Sequence, residues 1–271
     1  MDYNDGFFQN GSITSFDELT YFSNLETIGE RAFYYCEGLT SITIPNSVMS
    51  IGECAFQYCR GLTSLKFEEG SNLTSIGNAA FGICSNIEKI ELPDTVNSLG
   101  TTVFRSCPKL KDLNIPNGLS NVTDWLTMFS NALANTKPPI IRINITNIHY
   151  QAFKNATSMC NVIIQKDVQT IGEEAFIALT NLEEVNFDNA VSLTSIGNRA
   201  FYNCSGITSP LLMPASLSSI GLCAFYGCLN IPYISFKNHT FVPTIKQTDI
   251  FRSIHPNTTI VVPDNLYDQW I

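Results

Sequence analysis

Few residues in this sequence have the types and spacing that catalysis requires. Three histidines lie far apart in the chain, at His149, His239 and His255. None belongs to a His-Glu-x-x-His zinc motif, and the sequence has neither a Gly-x-Ser-x-Gly nucleophile elbow nor a phosphate-binding loop. We therefore expect no catalytic site, no metal site and no cofactor.

Adjacent glutamates are the remaining candidates for acid–base chemistry. They occur at positions 68–69, 173–174 and 183–184. Glu183 and Glu184 fall in an apolar-alternating segment that predicts a strand, where neighbouring side chains point to opposite faces. Such a pair cannot act together on one substrate atom. We interpret these carboxylates as solvated surface groups and expect a protein that is not an enzyme.

Nine cysteines could form disulfides or hold a metal, but their spacing favours a structural role. Six of them follow a phenylalanine by three residues, and they are Cys36, Cys59, Cys84, Cys107, Cys204 and Cys228. Cys54 and Cys223 share a second position, just before an alanine. A periodic arrangement spreads thiols along an axis, whereas a metal needs its ligands around one point. We predict buried free thiols and no disulfide framework.

The phenylalanines that precede these cysteines recur through the whole chain at steps of 23 to 26 residues. They are Phe33, Phe56, Phe81, Phe104, Phe129, Phe153, Phe176, Phe201, Phe225 and Phe251. A near-constant step of this size is typical of a solenoid, in which each repeat buries its apolar face only against its neighbours. Phe129 and Phe251 are the weakest members, because neither follows an Ile-Gly or an Ala.

Each repeat has two halves with different patterns. The first alternates apolar and polar residues, as in Leu39-x-x-Ile42-x-Ile44-Pro45, which predicts one half-buried strand that the proline ends. One strand per repeat predicts a parallel sheet. The second half has the sequence Ile51-Gly52-x-x-Ala55-Phe56-x-x-Cys59. There we expect a tight turn, with glycine tolerating positive φ, and a short helical segment that packing stabilises.

Together these motifs resemble the BspA-type leucine-rich repeat, whose pattern stands nearly complete between Leu39 and Cys59. The predicted fold is an α/β solenoid: a leucine-rich repeat superhelix of about ten 23–26-residue repeats. A parallel sheet forms one face, and short helical or turn segments form the other. The resemblance also implies a bacterial protein that is secreted or displayed at the cell surface. It implies adhesion and protein binding rather than catalysis.

The repeat also organises the chain into predicted parts. Residues 1–22 form an N-terminal cap, 23–240 form the repeats with 117–149 degenerate, and 241–271 form a C-terminal capping repeat. All of these belong to one elongated domain in this prediction. A cap is needed because a terminal repeat would otherwise expose its core. The residues expected to cover the first repeat are Phe7, Phe8, Phe16, Tyr21 and Phe22.

The degenerate repeat at 117–149 has two interpretations. Its Ile-Gly is replaced by Asp124-Trp125, and His149 takes the place of the turn glycine that follows. The irregularity is either sequence drift or a local binding site, since function often lies in irregular loops. Trp125 is correspondingly either a core residue or a contact residue.

Composition narrows the range of partners. The net charge is −9, which disfavours nucleic-acid phosphate and anionic membrane surfaces. No run of about eighteen apolar residues predicts a transmembrane helix, so no direct membrane insertion is expected. The acidic, polar start at 1–6 does not resemble a secretory signal peptide. If the family's surface location holds, we expect the signal segment to be absent from this chain.

The outer face of the predicted sheet is the candidate binding surface, because a solenoid presents it as a continuous surface. Outward residues at equivalent positions of successive repeats form a column along the sheet. Asn144 is assigned to the same column as Ile163, and Arg142 to the neighbouring column. Polar and charged residues dominate the first half, whereas Ile163, Leu212 and Tyr233 would add exposed apolar anchors. The candidate binding residues are Thr43, Lys66, Glu91, Asn114, Arg142, Asn144, Ile163, Asn186, Leu212 and Tyr233.

Three functions are compatible with such a surface. The leading hypothesis is an adhesion module that binds extracellular or host proteins, matrix proteins among them, through the sheet face. The second is a carbohydrate-binding or nutrient-capture surface protein, favoured by few charges and a surface rich in Asn, Ser and Thr. The third is a structural spacer within a longer protein. Binding assays with matrix proteins and with glycans would separate them.

Overall fold

The computed structural model describes residues 13–119, 140–154, 156, 159–245, 254 and 256–270. The chain divides into two compact units, 1–139 and 140–271. Each is a parallel β-solenoid, and the chain forms about nine coils with little helix. The predicted single elongated domain and the boundaries of its two caps stay predictions.

The first unit has two sets of parallel strands. One set forms a four-stranded sheet of β1 (Thr27–Ile28), β3 (Ser50–Ile51), β5 (Ser75–Ile76) and β7 (Ser98–Leu99). The other contains the pairs β2 (Ser41–Ile44) with β4 (Ser64–Phe67) and β6 (Lys89–Ile90) with β8 (Asp112–Ile115). Short 3-10 helices lie at Asp17–Tyr21 and Asn117–Leu119.

The second unit repeats this arrangement. One set of strands comprises β9 (Ile140–Ile143), β11 (Asn161–Ile164), β13 (Glu184–Asn186), β15 (Leu211–Leu212), β17 (Tyr233–Ser235) and β19 (Thr259–Val261). The other set forms a five-stranded sheet of two-residue strands, which are β10 (Asn147–Ile148), β12 (Thr170–Ile171), β14 (Ser195–Ile196), β16 (Ser219–Ile220) and β18 (Thr244–Ile245). A 3-10 helix, Asp264–Leu266, leads into one turn of α-helix, α1 (Tyr267–Trp270).

Most coils therefore contain two short strands, whereas the sequence predicted one. The second strand is the dipeptide before the repeat glycine, such as Ser50-Ile51 in β3, which pairs with Ser75-Ile76 in β5. The isoleucine of each pair is buried and the serine faces outward. Two residues are too few to show an alternation in the sequence, so this strand was missed.

The segment after the repeat glycine is a series of turns, and the predicted short helix is absent from every described coil. In the second coil, Cys54, Phe56 and Tyr58 donate their N–H groups to carbonyls of the next coil at 2.8–2.9 Å. Cys54 and Tyr58 have φ values of 54° and 66°. These N–H groups are therefore unavailable for helical bonds, and left-handed residues interrupt the right-handed path that a helix needs.

The repeat glycine is required for close approach between coils, not for positive φ as the sequence predicted. A Cβ built on Gly77 would lie 2.6 Å from the backbone nitrogen of Glu53 in the preceding coil. Gly77 itself does not have positive φ. Gly29 stands in the first coil, where a Cβ would meet nothing within 4 Å. The glycine is therefore a consequence of stacking.

A column of phenylalanine rings runs through the core of each unit, as predicted. In the first unit, Phe56 stacks on Phe33 at 4.9 Å and on Phe81 at 5.3 Å between ring centroids. In the second, Phe176 stacks on Phe153 and on Phe201, both at 4.9 Å. Burying each ring stabilises the fold by roughly 1.5–3 kcal/mol. The weak members Phe129 and Phe251 lie outside the described residues.

The described part of the predicted N-terminal cap covers the first coil with fewer groups than expected. Leu19 of the first 3-10 helix is buried, and the ring of Phe16 lies 5.9 Å from that of Phe33. Tyr21 and Phe22 were predicted to cover the core, but they are 83% and 55% exposed. Phe7 and Phe8 lie outside the described residues, as does Trp125.

Candidate binding surface

The outward residues of β2 and β4 form a polar surface on the first unit. The two strands pair with Thr43 beside Lys66, and the inward residues Ile42 and Leu65 are buried. Residues two apart on a strand share a face. Lys66 is exposed and Thr43 is half-buried. Both therefore lie on the outer face, where the sequence placed them.

Opposite charges neutralise each other on the next two strands. Lys89 of β6 lies 2.8 Å from Glu91 and 3.9 Å from Asp112 of β8. About half of the Lys89 and Glu91 side chains is exposed, so solvent screens the pair and it adds little stability. Glu91 is thus on the surface, within a patch of mixed charge.

Two candidate asparagines hold the backbone in place. The Asn114 amide donates to the carbonyl of Leu92 at 2.8 Å, and its Oδ1 accepts from the Leu92 N–H at 2.6 Å. Asn186 accepts from the backbone N–H of Asp188 at 2.8 Å. Leu92 is buried, and its backbone groups need such partners. These two amides therefore have structural partners, which reduces what they can offer to a ligand.

The register of β9 differs from the prediction. Arg142 lies beside Ile163 of β11, and Ile140 lies beside Asn161. The sequence pattern had placed Asn144 in the Ile163 column, two residues too far along the chain. A two-residue slip keeps every side chain on its own face, because the side-chain period of a strand is two. Asn144 falls after the strand, and Ile140, 40% exposed, is an outward residue that was missed.

Two apolar side chains project next to each other from the second unit. Leu212 of β15 pairs with Ser235 of β17, and Tyr233, two residues before Ser235, occupies the diagonal position on the same face. Leu212 is 45% exposed and Tyr233 is 37% exposed. Ile163, which the sequence grouped with them, is half-buried. Leu212 and Tyr233 are therefore neighbouring exposed apolar side chains on one face, and we call this pair the apolar anchor.

Comparison with known families decides the identity of the repeat. A model of the BspA type leucine-rich repeat region, with six copies, matches residues 3–134 and 146–268. The chain belongs to the BspA-type leucine-rich repeat family. The coils and the phenylalanine column described above are this repeat in three dimensions.

Several solved structures resemble this BspA-type chain at low identity. The pneumococcal vaccine antigen PcpA is 24% identical over 88% of this chain and 58% of its own, with a TM-score of 0.37. This chain thus spans less than two thirds of that antigen. A leucine-rich cell surface protein from Faecalibacterium prausnitzii is 18% identical over 90% and 85% of the two chains, with a TM-score of 0.41. No curated protein matches the chain.

The periodic cysteines of this BspA-type chain have a structural role, which confirms that prediction. The thiol of Cys84 donates to the carbonyl of Phe56 in the preceding coil at 3.2 Å. Equivalent bonds of 2.9–3.2 Å are made by Cys59, Cys107, Cys204 and Cys228. Burial raises the pKa of the Cys107 and Cys204 thiols to about 12, so they stay protonated and unreactive at neutral pH. All nine cysteines are free.

The carboxylate pair at 173–174 has a structural explanation as well. The Glu174 carboxylate accepts from Gln151 Nε2 at 2.6 Å and lies 3.5 Å from Arg199. The hydrogen bond from Gln151, helped by Arg199, lowers the pKa of Glu174. A general base at neutral pH needs a raised carboxyl pKa. Glu174 instead links its coil to both neighbouring coils.

The part of the chain that the structure describes has neither a metal-binding cluster nor a membrane-spanning helix. There, no three His, Cys, Asp or Glu side chains come together in a way that could hold a metal ion. Within the same residues, no helix has the length and apolarity to cross a bilayer.

Proposed function

We propose that this chain is an interaction module of a bacterial cell-surface or secreted protein, and that it binds other proteins through the outer face of its sheet. Membership of the BspA-type family supports a repeat-based interaction role, and surface proteins of this family are generally non-enzymatic. Solenoids commonly bind through the continuous face that their stacked repeats present. Partners are extracellular or host proteins, including matrix proteins.

The apolar anchor is the observation that supports this proposal most. Leu212 and Tyr233 are adjacent on one face and expose a large part of their side chains. Tyrosine is a frequent interface hot spot, because it offers a large rigid apolar surface and a polar hydroxyl. The half-buried Ser235 pairs with Leu212, and the neighbouring strand β13 exposes the polar Glu184. An apolar centre within a polar rim is the usual anatomy of a protein interface.

Binding to immobilised matrix proteins tests the proposal. Collagen, laminin and fibronectin would serve as probes, with the whole chain in solution and binding followed by surface plasmon resonance. The double variant Leu212→Ser, Tyr233→Ala should weaken binding at least about tenfold, because each truncated anchor commonly costs more than about 1 kcal/mol.

A matched control removes as much exposed apolar surface elsewhere in the second unit. Val191 and Leu229 are 67% and 48% exposed and lie outside the strands of the sheet face. The double variant Val191→Ser, Leu229→Ser should bind as the unmodified chain does. Equal losses in both double variants would argue against a specific anchor. No binding to any protein probe would favour the spacer function.

A further inference from the structure

A groove of about 440 Å³, lined by seven polar residues and Met49, runs along a corner of the first unit. It lies where the chain passes from β2 to β3, from β4 to β5 and from β6 to β7, and it begins beside β1. Four successive coils contribute residues to it. With a strand spacing of roughly 4.8 Å, four coils give the groove a length of about 14 Å. The groove residues belong to the first unit and the apolar anchor to the second, so the groove is a different site from that of the proposed function.

The side chains of this groove present mainly hydrogen-bond acceptors. Ser47 donates its hydroxyl proton to a carbonyl of the preceding coil at 2.9 Å, Thr74 does so at 3.0 Å and Thr95 at 2.7 Å. Asn72 donates its amide to a further carbonyl at 3.1 Å. A hydroxyl has one proton and two lone pairs. With the protons engaged by the backbone, the oxygens remain as acceptors for a ligand.

The first coil adds polar groups, and the second adds an apolar surface. Among the described residues, no hydrogen bond involves the side chains of Ser23, Asn24 or Glu26. The Glu26 carboxylate is an acceptor when ionised and repels anions. Met49 is 47% exposed and lies in the groove beside Thr74. Its flexible thioether can adapt to an apolar ligand surface.

We propose that this groove binds a neutral oligosaccharide. Sugar hydroxyls both donate and accept, so they match the acceptor oxygens of Ser47, Thr74 and Thr95 and the polar groups of the first coil. The C–H face of a pyranose ring can pack on Met49. Glu26 disfavours sugars that carry a carboxylate. A lysine-containing peptide would also bring donors, but each ammonium would lose its hydration with only one carboxylate in the groove to compensate.

Isothermal titration of the whole chain tests this assignment. The neutral probes are cellotetraose, mannotetraose and maltotetraose, the acidic probe is tetragalacturonic acid and the cationic probe is pentalysine. At least one neutral probe should bind, and the acidic and cationic probes should bind more weakly. Failure of all three neutral probes, or tighter binding of tetragalacturonic acid or pentalysine, would overturn the proposal.

Two variants locate the site, and one controls for folding. Thr74→Val removes the acceptor next to Met49, and Met49→Ala removes the apolar surface, so each should weaken binding of the neutral probe about tenfold. Thr194 makes the same bond in the second unit, from its hydroxyl to the carbonyl of Gln169 at 3.1 Å. Thr194→Val therefore loses an equivalent hydrogen bond and should leave the affinity unchanged. Binding that survives Thr74→Val and Met49→Ala would place the sugar elsewhere and overturn the assignment.

Discussion

The smallest unit of this fold is a phenylalanine with the cysteine that contacts its carbonyl from the next coil. The ring of Phe56 packs between two other rings, and its carbonyl oxygen accepts the thiol proton of Cys84. The same oxygen accepts the backbone N–H of Cys59 at 3.2 Å, so the thiol occupies its second lone pair. Cysteine is small and apolar enough for a core, yet it still has a proton to donate. This explains why the two residue types recur together.

Thiol chemistry provides a prediction at this scale. Cys84 is fully buried and its pKa lies well above the ordinary value, chiefly because of burial, so it should resist alkylation in the native protein. Cys54 and Cys223 are only partly buried and should be labelled first. Iodoacetamide treatment at pH 8, followed by peptide mass spectrometry, measures the order. Labelling of Cys84 as fast as Cys223 in the native protein would contradict the structural role.

His239 is a buried titratable group whose neutral form the fold favours. Its Nδ1 lies 3.2 Å from the carbonyl oxygen of Phe236, and the rings of Phe236 and Phe241 flank it at 5.2 and 5.9 Å. Burial lowers the pKa of His239, although the carbonyls of Phe236 and Leu217 partly oppose this. The unfolded chain therefore takes up a proton more readily than the folded chain does.

Acidification should consequently destabilise the protein through His239. Its contribution is fully present above the unfolded pKa of about 6.5 and is lost as the pH falls below that value toward the lowered pKa of the folded state. The melting temperature of the unmodified chain should fall between pH 7.5 and pH 5.5 by more than that of His239→Gln. Equal falls in both proteins would show that this histidine does not set the acid sensitivity.

Outward residues could be predicted from the sequence wherever the repeat is regular. Thr43 and Lys66 pair as the pattern indicated, because Pro45 and the Ile-Gly motif fix the phase of their coil. The register of β9 could not be fixed in this way, because its coil lacks the Ile-Gly motif. In the run from Ile140, isoleucine recurs at positions 141, 143 and 145, so a shift of two residues leaves the alternation unchanged. The backbone partner of Asn114 depends on the neighbouring coil, which single-residue patterns do not show.

At the scale of the elements, the stacking of coils overrides local preference. The sequence Ile-Gly-x-x-Ala-Phe-x-x-Cys has a spacing that suits a turn followed by a helix. In the structure, alternate N–H groups of this segment bind the next coil, and the residues two before and two after the phenylalanine have positive φ wherever both are described. Many intercoil hydrogen bonds outweigh the roughly 1–2 kcal/mol that a non-glycine residue loses in the left-handed region.

The repeat glycines test this interpretation with a built-in control. In Gly77→Ala the new methyl group would lie 2.6 Å from the Glu53 nitrogen, so the coils must move apart. We expect a loss of about 1–3 kcal/mol in the free energy of unfolding, the usual cost of overpacking. In Gly29→Ala the methyl group meets no atom within 4 Å, and the change should stay within about 0.5 kcal/mol.

Urea unfolding of the two glycine variants measures both values on the same chain. If Gly29→Ala cost as much as Gly77→Ala, the glycine would be required for its backbone conformation and not for close approach. If neither variant were destabilised, the spacing between coils would be looser than the structure shows.

At the scale of the whole molecule, the repeat assigns stability and binding to different sets of residues. Inward positions carry the column of rings and the buried isoleucines, and they could be predicted because their spacing repeats. Outward positions vary from coil to coil, which leaves them available for a partner. The repeat could also indicate the family and the parallel strands. It could not indicate the groove at the corner of the first unit. That site depends on which side-chain O–H and N–H groups already donate hydrogen bonds to backbone carbonyls.

Two consecutive residues provide the most direct test of this separation. Leu211 is fully buried and Leu212 is 45% exposed on the opposite face of β15. Leu211→Asp would bury an unpaired carboxylate, at a cost of several kcal/mol, and should unfold the second unit. Leu212→Asp should keep the melting temperature and abolish binding to the matrix probe. A stable Leu211→Asp variant, or a Leu212→Asp variant that unfolds or still binds, would contradict the account.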